Sequence, residues 1–335
     1  MRTHPFRPII AGVALLAAGT FTGAAVMAGR APQAAVSGPV LLVTNKAENT
    51  VSFVDPATRA ELARVPSGRS PHEIAVTPEG RWAFVANYGE SSLTVVDVRA
   101  MRADGRVDLG PHSRPHGIVV APDGRTVWVT TEGSRHVVAV DVATRRVARA
   151  IETGQQVTHM LALASSRGKL YTANLGSGTA TVIDLAAGTV LRHIPTGAGA
   201  EGIAVTPDER WVLVTNREAG TLSVIDAETD QVVHEAAAGE FPIRVEVTPD
   251  GRRALVSDAR AREVLEFHVG TWEVHRRLAV GAFPVGIEIA PGGDRAYVAN
   301  TEDDRITELD LVAWRRVGTI VAGDEPDGMA YAVVR

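Results

Sequence analysis

The chain has 335 residues, 45% of them hydrophobic and 22% charged, with a formal net charge of −5. This is the composition of an ordinary globular protein, long enough to bury a substantial core. There is no cysteine and no run of five or more basic residues. Disulfides, thiolate metal sites and cysteine nucleophiles are therefore excluded, and the electrostatic footprint of a dedicated nucleic-acid binder is missing.

The first predicted element is a leader. Arg2 and Arg7 precede a mainly apolar stretch from Ile9 to Ala28 that is rich in Ala and Gly. A basic start, an apolar middle and small residues at the end describe a secretory signal, with Val26-Met27-Ala28 or Gly23-Ala24-Ala25 before the cut. We assign 1–28 to this signal, 29–39 to a short linker and 40–335 to the folded part, which is then expected to be secreted or periplasmic. The alternative is an uncleaved anchor, since the stretch approaches the length of a spanning helix. With the signal removed, no membrane insertion is expected.

From Val40 onward the chain repeats. A glycine recurs at Gly68, Gly110, Gly154, Gly197, Gly239, Gly281 and Gly323. In step with it run Asn45, Asn87, Thr131, Asn174, Asn216, Asp258 and Asn300, and then Asp55, Asp97, Asp141, Asp184, Asp226, His268 and Asp310. Each unit holds short runs rich in Val, Ile, Thr and aromatic residues, such as Ile74-Ala75-Val76-Thr77 and Trp82-Ala83-Phe84-Val85-Ala86-Asn87, separated by turn formers. Four short strands in about 42 residues make one propeller blade. The first unit lacks its innermost strand. The C-terminal run Pro326-Asp327-Gly328-Met329-Ala330-Tyr331-Ala332-Val333 matches the innermost strand at Pro115-His116-Gly117-Ile118-Val119-Val120. The expected fold is all-β: a seven-bladed β-propeller of four-stranded blades, closed by the C-terminal segment as the innermost strand of blade 1. Such a ring has no open edge and needs no partner copy, so a monomer is expected.

Segments such as Pro71-His72-Glu73-Ile74-Ala75-Val76-Thr77-Pro78, Thr221-Leu222-Ser223-Val224-Ile225-Asp226 and Tyr297-Val298-Ala299-Asn300 resemble the repeat of the YVTN family, over residues 40–335. The resemblance implies an extracytoplasmic or cell-surface propeller of the YncE-like kind. It implies little chemistry, because propellers host binding proteins, scaffolds, lactonases, lyases and electron-transfer enzymes.

Most repeating residues read as scaffold. The glycines are expected to permit tight turns, and the Asp and Asn series to hydrogen-bond local backbone. His268, in the Asp series, reads as drift on the opposite face. Function is expected where the repeat is broken. At the start of the innermost strands the ring reads Asp327, His72, His116, His159, Glu201, Ile243 and Val285. Three imidazoles and two carboxylates on five consecutive blades can converge at the channel mouth, and His72, His116 and His159 are the candidate ligands of one divalent ion (Zn, Cu, Ni or Fe). The alternative is that each His only bonds its neighbouring blade. Three residues further on, the ring reads Ala75, Val119, Ala162, Ala204, Glu246, Glu288 and Ala330, with Arg244 two residues before Glu246. Arg244, Glu246 and Glu288 are read as a channel network, salt-bridged or acid–base. The loops after the Asn series bring Lys46, Tyr88, Glu132, Arg135, His136, Arg217, Arg260, Glu302 and Asp304 to the same face.

The expected function is a binding protein that holds a metal ion, a small polar ligand or a partner protein at the channel mouth through His72, His116, His159, Glu201 and Asp327. Two alternatives stand beside it. One is a metal-dependent hydrolase, lactonase or lyase with Glu201, Glu288, Glu246 or Arg244 as candidate catalytic groups. The other is a surface scaffold without a site. No Gly-x-Ser-x-Gly, phosphate loop, dinucleotide fingerprint or Cys-x-x-Cys-His is present.

Overall fold

In the computed structural model, which describes residues 35–335, every repeat forms one four-stranded antiparallel sheet, and seven such sheets surround a central channel. Blade 2 is typical: Pro71–Val76 lies innermost, followed outward by Trp82–Asn87, Ser92–Asp97 and Arg102–Asp108. The two middle strands are buried on both faces, so they read as unbroken apolar runs, whereas the outermost strands are largely exposed. Core clusters lie between adjacent blades. One joins Phe84 and Val95 of blade 2 to Val127 and Val138 of blade 3. Burying one such side chain contributes about 1.5–3 kcal/mol.

The ring closes as expected. Pro326–Val334 pairs antiparallel with Gly38–Asn45, with Leu42 opposite Ala330 and Gly38 opposite Val334. The first strand starts at Gly38, two residues ahead of the expected boundary, because Val334 is there to pair with it. The leader assigned to 1–28 and the linker up to residue 34 lie outside the described residues. Among the described residues, no helix is long and apolar enough to cross a membrane.

The Asp series accepts local amide hydrogen bonds as expected: Ala57 N–H donates to Asp55 (2.8 Å) and Val312 N–H to Asp310 (3.0 Å). The closing glycines need a different account. Gly110, Gly154 and Gly239 have positive φ, but Gly68, Gly197, Gly281 and Gly323 do not. At Gly68 a Cβ would lie 2.5 Å from the Asn87 side chain, whose Oδ1 accepts the Gly68 N–H at 3.1 Å. Gly323 donates to Asn45 in the same way at 3.0 Å, across the closure. At these four positions glycine makes room for an asparagine, and at Gly68, Gly281 and Gly323 that asparagine accepts the glycine N–H and ties its blade to the one before it.

Candidate functional site at the channel mouth

One local irregularity builds the site. In all seven blades the pairing of the innermost strand with its neighbour slips by one residue near its start; in blade 2 Pro71 faces Asn87 but Ile74 faces Val85. A bulge inserts one residue and re-aims the side chains around it. Hydroxyls fix the bulged backbone from the preceding blade: Thr44 donates to the His72 carbonyl (2.7 Å), Thr215 to that of Ile243 (2.7 Å) and Ser257 to that of Val285 (2.8 Å). All seven ring positions, from Asp327 through His72, His116, His159, Glu201 and Ile243 to Val285, consequently line one mouth cavity of about 190 Å³.

The polar groups on blades 1–5 interlock. The His116 and His159 rings are tilted by 33° with centroids 3.8 Å apart, and His72 meets His116 edge-on at 5.0 Å. His159 Nδ1 donates to Glu132 Oε1 at 2.5 Å, and its Nε2 lies 3.5 Å from Glu201 Oε1. Tyr88 Oη donates to the other Glu132 oxygen (2.9 Å), and Arg217 donates to the other Glu201 oxygen (2.9 Å). Lys46 Nζ lies 3.4 Å from Asp327. His72 Nδ1 donates to the Ser70 carbonyl at 2.9 Å, which leaves Nε2 with its lone pair. His116 Nδ1 is buried and has no partner.

These contacts separate three histidines of similar sequence context. Burial drives His116 well below the ordinary histidine range, and the neighbouring His159 and His72 add to it. Burial also lowers His72, with Asp327 pulling the other way. Burial alone would lower His159 too, but its bonds to Glu132 and Glu201 outweigh it and raise it to about 9. One ligand atom each from His116, Glu132 and His159 lie within 4.8 Å of one another, and His72 stands outside that trio. The residues grouped closely enough to hold an ion here are therefore two imidazoles and a carboxylate. Glu132 was read from the sequence only as a loop charge. The clue was its place directly after Thr131, in the same column as Lys46, Tyr88 and Arg217.

The sequence reading also passed over Glu73. Glu73 and Arg244 are 8% and 5% exposed, and they form a buried ion pair across the channel between blades 2 and 6. Their column otherwise reads Gly117, Met160, Gly202, Gly286 and Gly328. Among the described residues, the carboxylates that Arg244 pairs with are Glu73 and, at 4.0 Å, Asp327; the expected network with Glu246 and Glu288 is not formed through hydrogen bonds of Arg244. Its Nη1 is buried without a partner. Glu246 and Glu288 line a second cavity of about 540 Å³ further along the channel, to which Glu73 and Arg244 also contribute. Burial raises Glu246 to about 7, against the pull of Arg244. Burial and then Glu246 raise Glu288 to about 8, although Glu288 accepts the Tyr331 N–H at 2.8 Å.

A second His-carboxylate group, Glu266, His268 and His275, lies on blade 6. Its carboxylate is fully buried and already held by Arg253 and Arg276, so it is less available to an ion.

The molecule is thus a seven-bladed propeller with a polar half-ring at one end of its channel. The chain belongs to the YNCE-like beta-propeller family, whose model matches residues 5–109 and 126–295. No curated protein matches the chain in sequence. Similar solved structures include hydrazine synthase of Kuenenia stuttgartiensis, with 19% identity, 88% of this chain and 99% of that chain covered, and a TM-score of 0.72. A functionally unknown protein from Desulfotomaculum acetoxidans has 13% identity, the same coverages and a TM-score of 0.78. The dihydro-heme d1 dehydrogenase NirN in complex with DHE has 17% identity, 87% and 74% coverage and a TM-score of 0.66. At these identities the likeness is one of fold.

Proposed function

We propose that this is an exported binding protein that holds one divalent transition-metal ion at the channel mouth through His116, His159 and Glu132. The observation that carries the reading is the buried, unpartnered Nδ1 of His116 beside the His159–Glu132 pair. Two imidazoles and one carboxylate suit Zn, Fe(II), Ni or Cu. A metal-bound imidazole is normally oriented by a carboxylate on its other nitrogen, and Glu201 stands 3.5 Å from His159 Nε2, itself held by Arg217. Tyr88 steadies Glu132 in the same manner. Metal would replace the proton between His159 and Glu132, because a ligating imidazole must give up its proton. The proposed location outside the cytoplasm rests on the basic-then-apolar sequence of residues 1–28.

Binding is favoured over hydrolysis by the state of the carboxylates. A hydrolase needs a free base beside the metal-bound water. At the mouth Glu201, Glu132, Asp327 and Glu73 are each engaged by a cation or an imidazole.

Elemental analysis of the protein, purified without chelator or metal-affinity tag, tests the assignment. Wild type and His72→Ala should hold near-stoichiometric metal, and a folded His116→Ala variant should hold none. No metal in wild type after incubation with Zn²⁺, Cu²⁺, Ni²⁺ or Fe²⁺ would refute it.

A further inference from the structure

Resting on that metal site, we infer that the mouth cavity takes a small monocarboxylate with a short branched apolar tail, bound beside the metal. Three observations converge on this ligand class.

The first is an unused donor. Arg244 is 5% exposed and spends Nη2 on Glu73 and Asp327, while its Nη1 is buried and has no partner. A guanidinium cannot shed a proton to escape that state. Left without an acceptor, a buried charged donor carries a full desolvation penalty. Arg244 lines the mouth cavity as well as the one further along the channel, and an oxyanion at the mouth would supply what Nη1 lacks.

The second is charge balance. The fixed cations at the mouth are Lys46, Arg217 and Arg244; the carboxylates paired there are Asp327, Glu201, Glu132 and Glu73. Once a metal ion has taken the place of the His159 proton, the imidazoles are neutral and these protein groups carry one negative charge in excess. A divalent ion turns this into one positive charge in excess, enclosed in a low-dielectric pocket where an uncompensated charge is costly. One monoanion neutralises it. Anion binding should therefore depend on the metal.

The third is the shape of the far wall. Opposite the polar half-ring, blades 6 and 7 contribute Ile243 and Val285, 4% and 6% exposed, with Phe283 beside them. A branched aliphatic tail fits that wall, and the volume of about 190 Å³ limits the ligand to a few heavy atoms. The carboxylate would face Arg244 Nη1 and the metal, with Lys46 at the rim.

Isobutyrate is a direct probe, and isobutyramide is its uncharged isostere. The full chain would be loaded with Co²⁺, whose visible absorption reports its ligands, and titrated with each. Isobutyrate should shift the bands in a saturable way, and isobutyramide should bind at least tenfold more weakly. Arg244→Met combined with Glu73→Gln leaves no buried unpaired charge; it should keep its Co²⁺ and lose isobutyrate affinity by tenfold or more. Lys46→Met, a change at the rim, should weaken isobutyrate binding by a smaller factor and keep the metal. Equal responses to isobutyrate and isobutyramide, or unchanged bands, in a protein that holds stoichiometric Co²⁺ would overturn the ligand assignment and leave the metal site standing. Isobutyrate bound equally well by the metal-free protein, followed by isothermal titration calorimetry, would overturn its metal dependence. A wild-type protein that takes up no Co²⁺ would overturn the metal site, and this inference with it.

Discussion

Replacing Glu288 by Gln should change how stability responds to pH. In the folded protein burial, with Glu246 adding to it, raises Glu288 to about 8, from an ordinary value of 4.5. The folded state therefore holds this proton over a range in which the unfolded chain has lost it. For a carboxyl raised in this way, the favourable contribution is complete below the unfolded value. It is lost as pH climbs from about 4.5 to about 8 and changes no further above that. One pKa unit corresponds to about 1.4 kcal/mol, so the wild type should lose at most about 5 kcal/mol through Glu288 in that window. Because Glu246 competes for the same proton, a loss of about 2–4 kcal/mol is the working expectation. Gln keeps an oxygen for the Tyr331 N–H and does not titrate. Thermal unfolding of both metal-free proteins at pH 5 and pH 9 isolates the effect as a difference of differences. Glu288→Gln should gain about 3–6 °C relative to wild type on going from pH 5 to pH 9, at about 1.6 °C per kcal/mol for a ring of about 300 residues. A melting-point difference that stays constant between the two pH values would refute the reasoning and place the Glu288 carboxylate in water.

Two further substitutions probe the frame of the site. Glu73→Gln leaves Arg244 buried without its main counter-charge; breaking a buried pair on one side costs about 3–5 kcal/mol, with Asp327 at 4.0 Å softening the loss. Thermal unfolding should show a large drop, mostly recovered when Arg244→Met is added, and an unchanged melting point would contradict the pairing. Gly286→Ala puts a Cβ 2.1 Å from the Asp327 carbonyl oxygen, where blade 7 meets the closing strand. Overpacking of this kind costs about 1–3 kcal/mol, which differential scanning calorimetry would register; full stability would mean the blades stand further apart.

The blade count, the closure and the membership of the mouth ring were legible because equal spacing along the chain becomes equal position around the axis. That mapping makes Asp327, nearly at the end of the chain, a neighbour of His72. Side-chain direction was not legible. It depends on the one-residue bulge at the start of each innermost strand, which leaves the 42-residue period untouched. Partners across the ring were hidden for a related reason. Arg244 stood out against the glycines of its column, yet its partner Glu73 breaks the same column four blades earlier, and only the closed ring shows that the two face each other. Glu132 was visible as a charge, but its bond to His159 joins the loop after the second strand of blade 3 to the innermost strand of blade 4. The repeat implies no contact of that kind. The closing glycines were misjudged in part because their tight packing against asparagine is a property of two blades at once.

The pairing of Pro326–Val334 with Gly38–Asn45 also governs when this protein can exist at all. The ribosome makes the missing innermost strand of the first blade last, so during synthesis the earliest blade waits with one exposed edge. Nascent chains halted before residue 326 should be sticky and sensitive to protease, and holdase chaperones should favour them. His116, Glu132 and His159 on blades 3 and 4 can come together sooner, but Asp327 joins the mouth only with the closing strand. The mouth ring is therefore complete only once that strand has docked on the first blade.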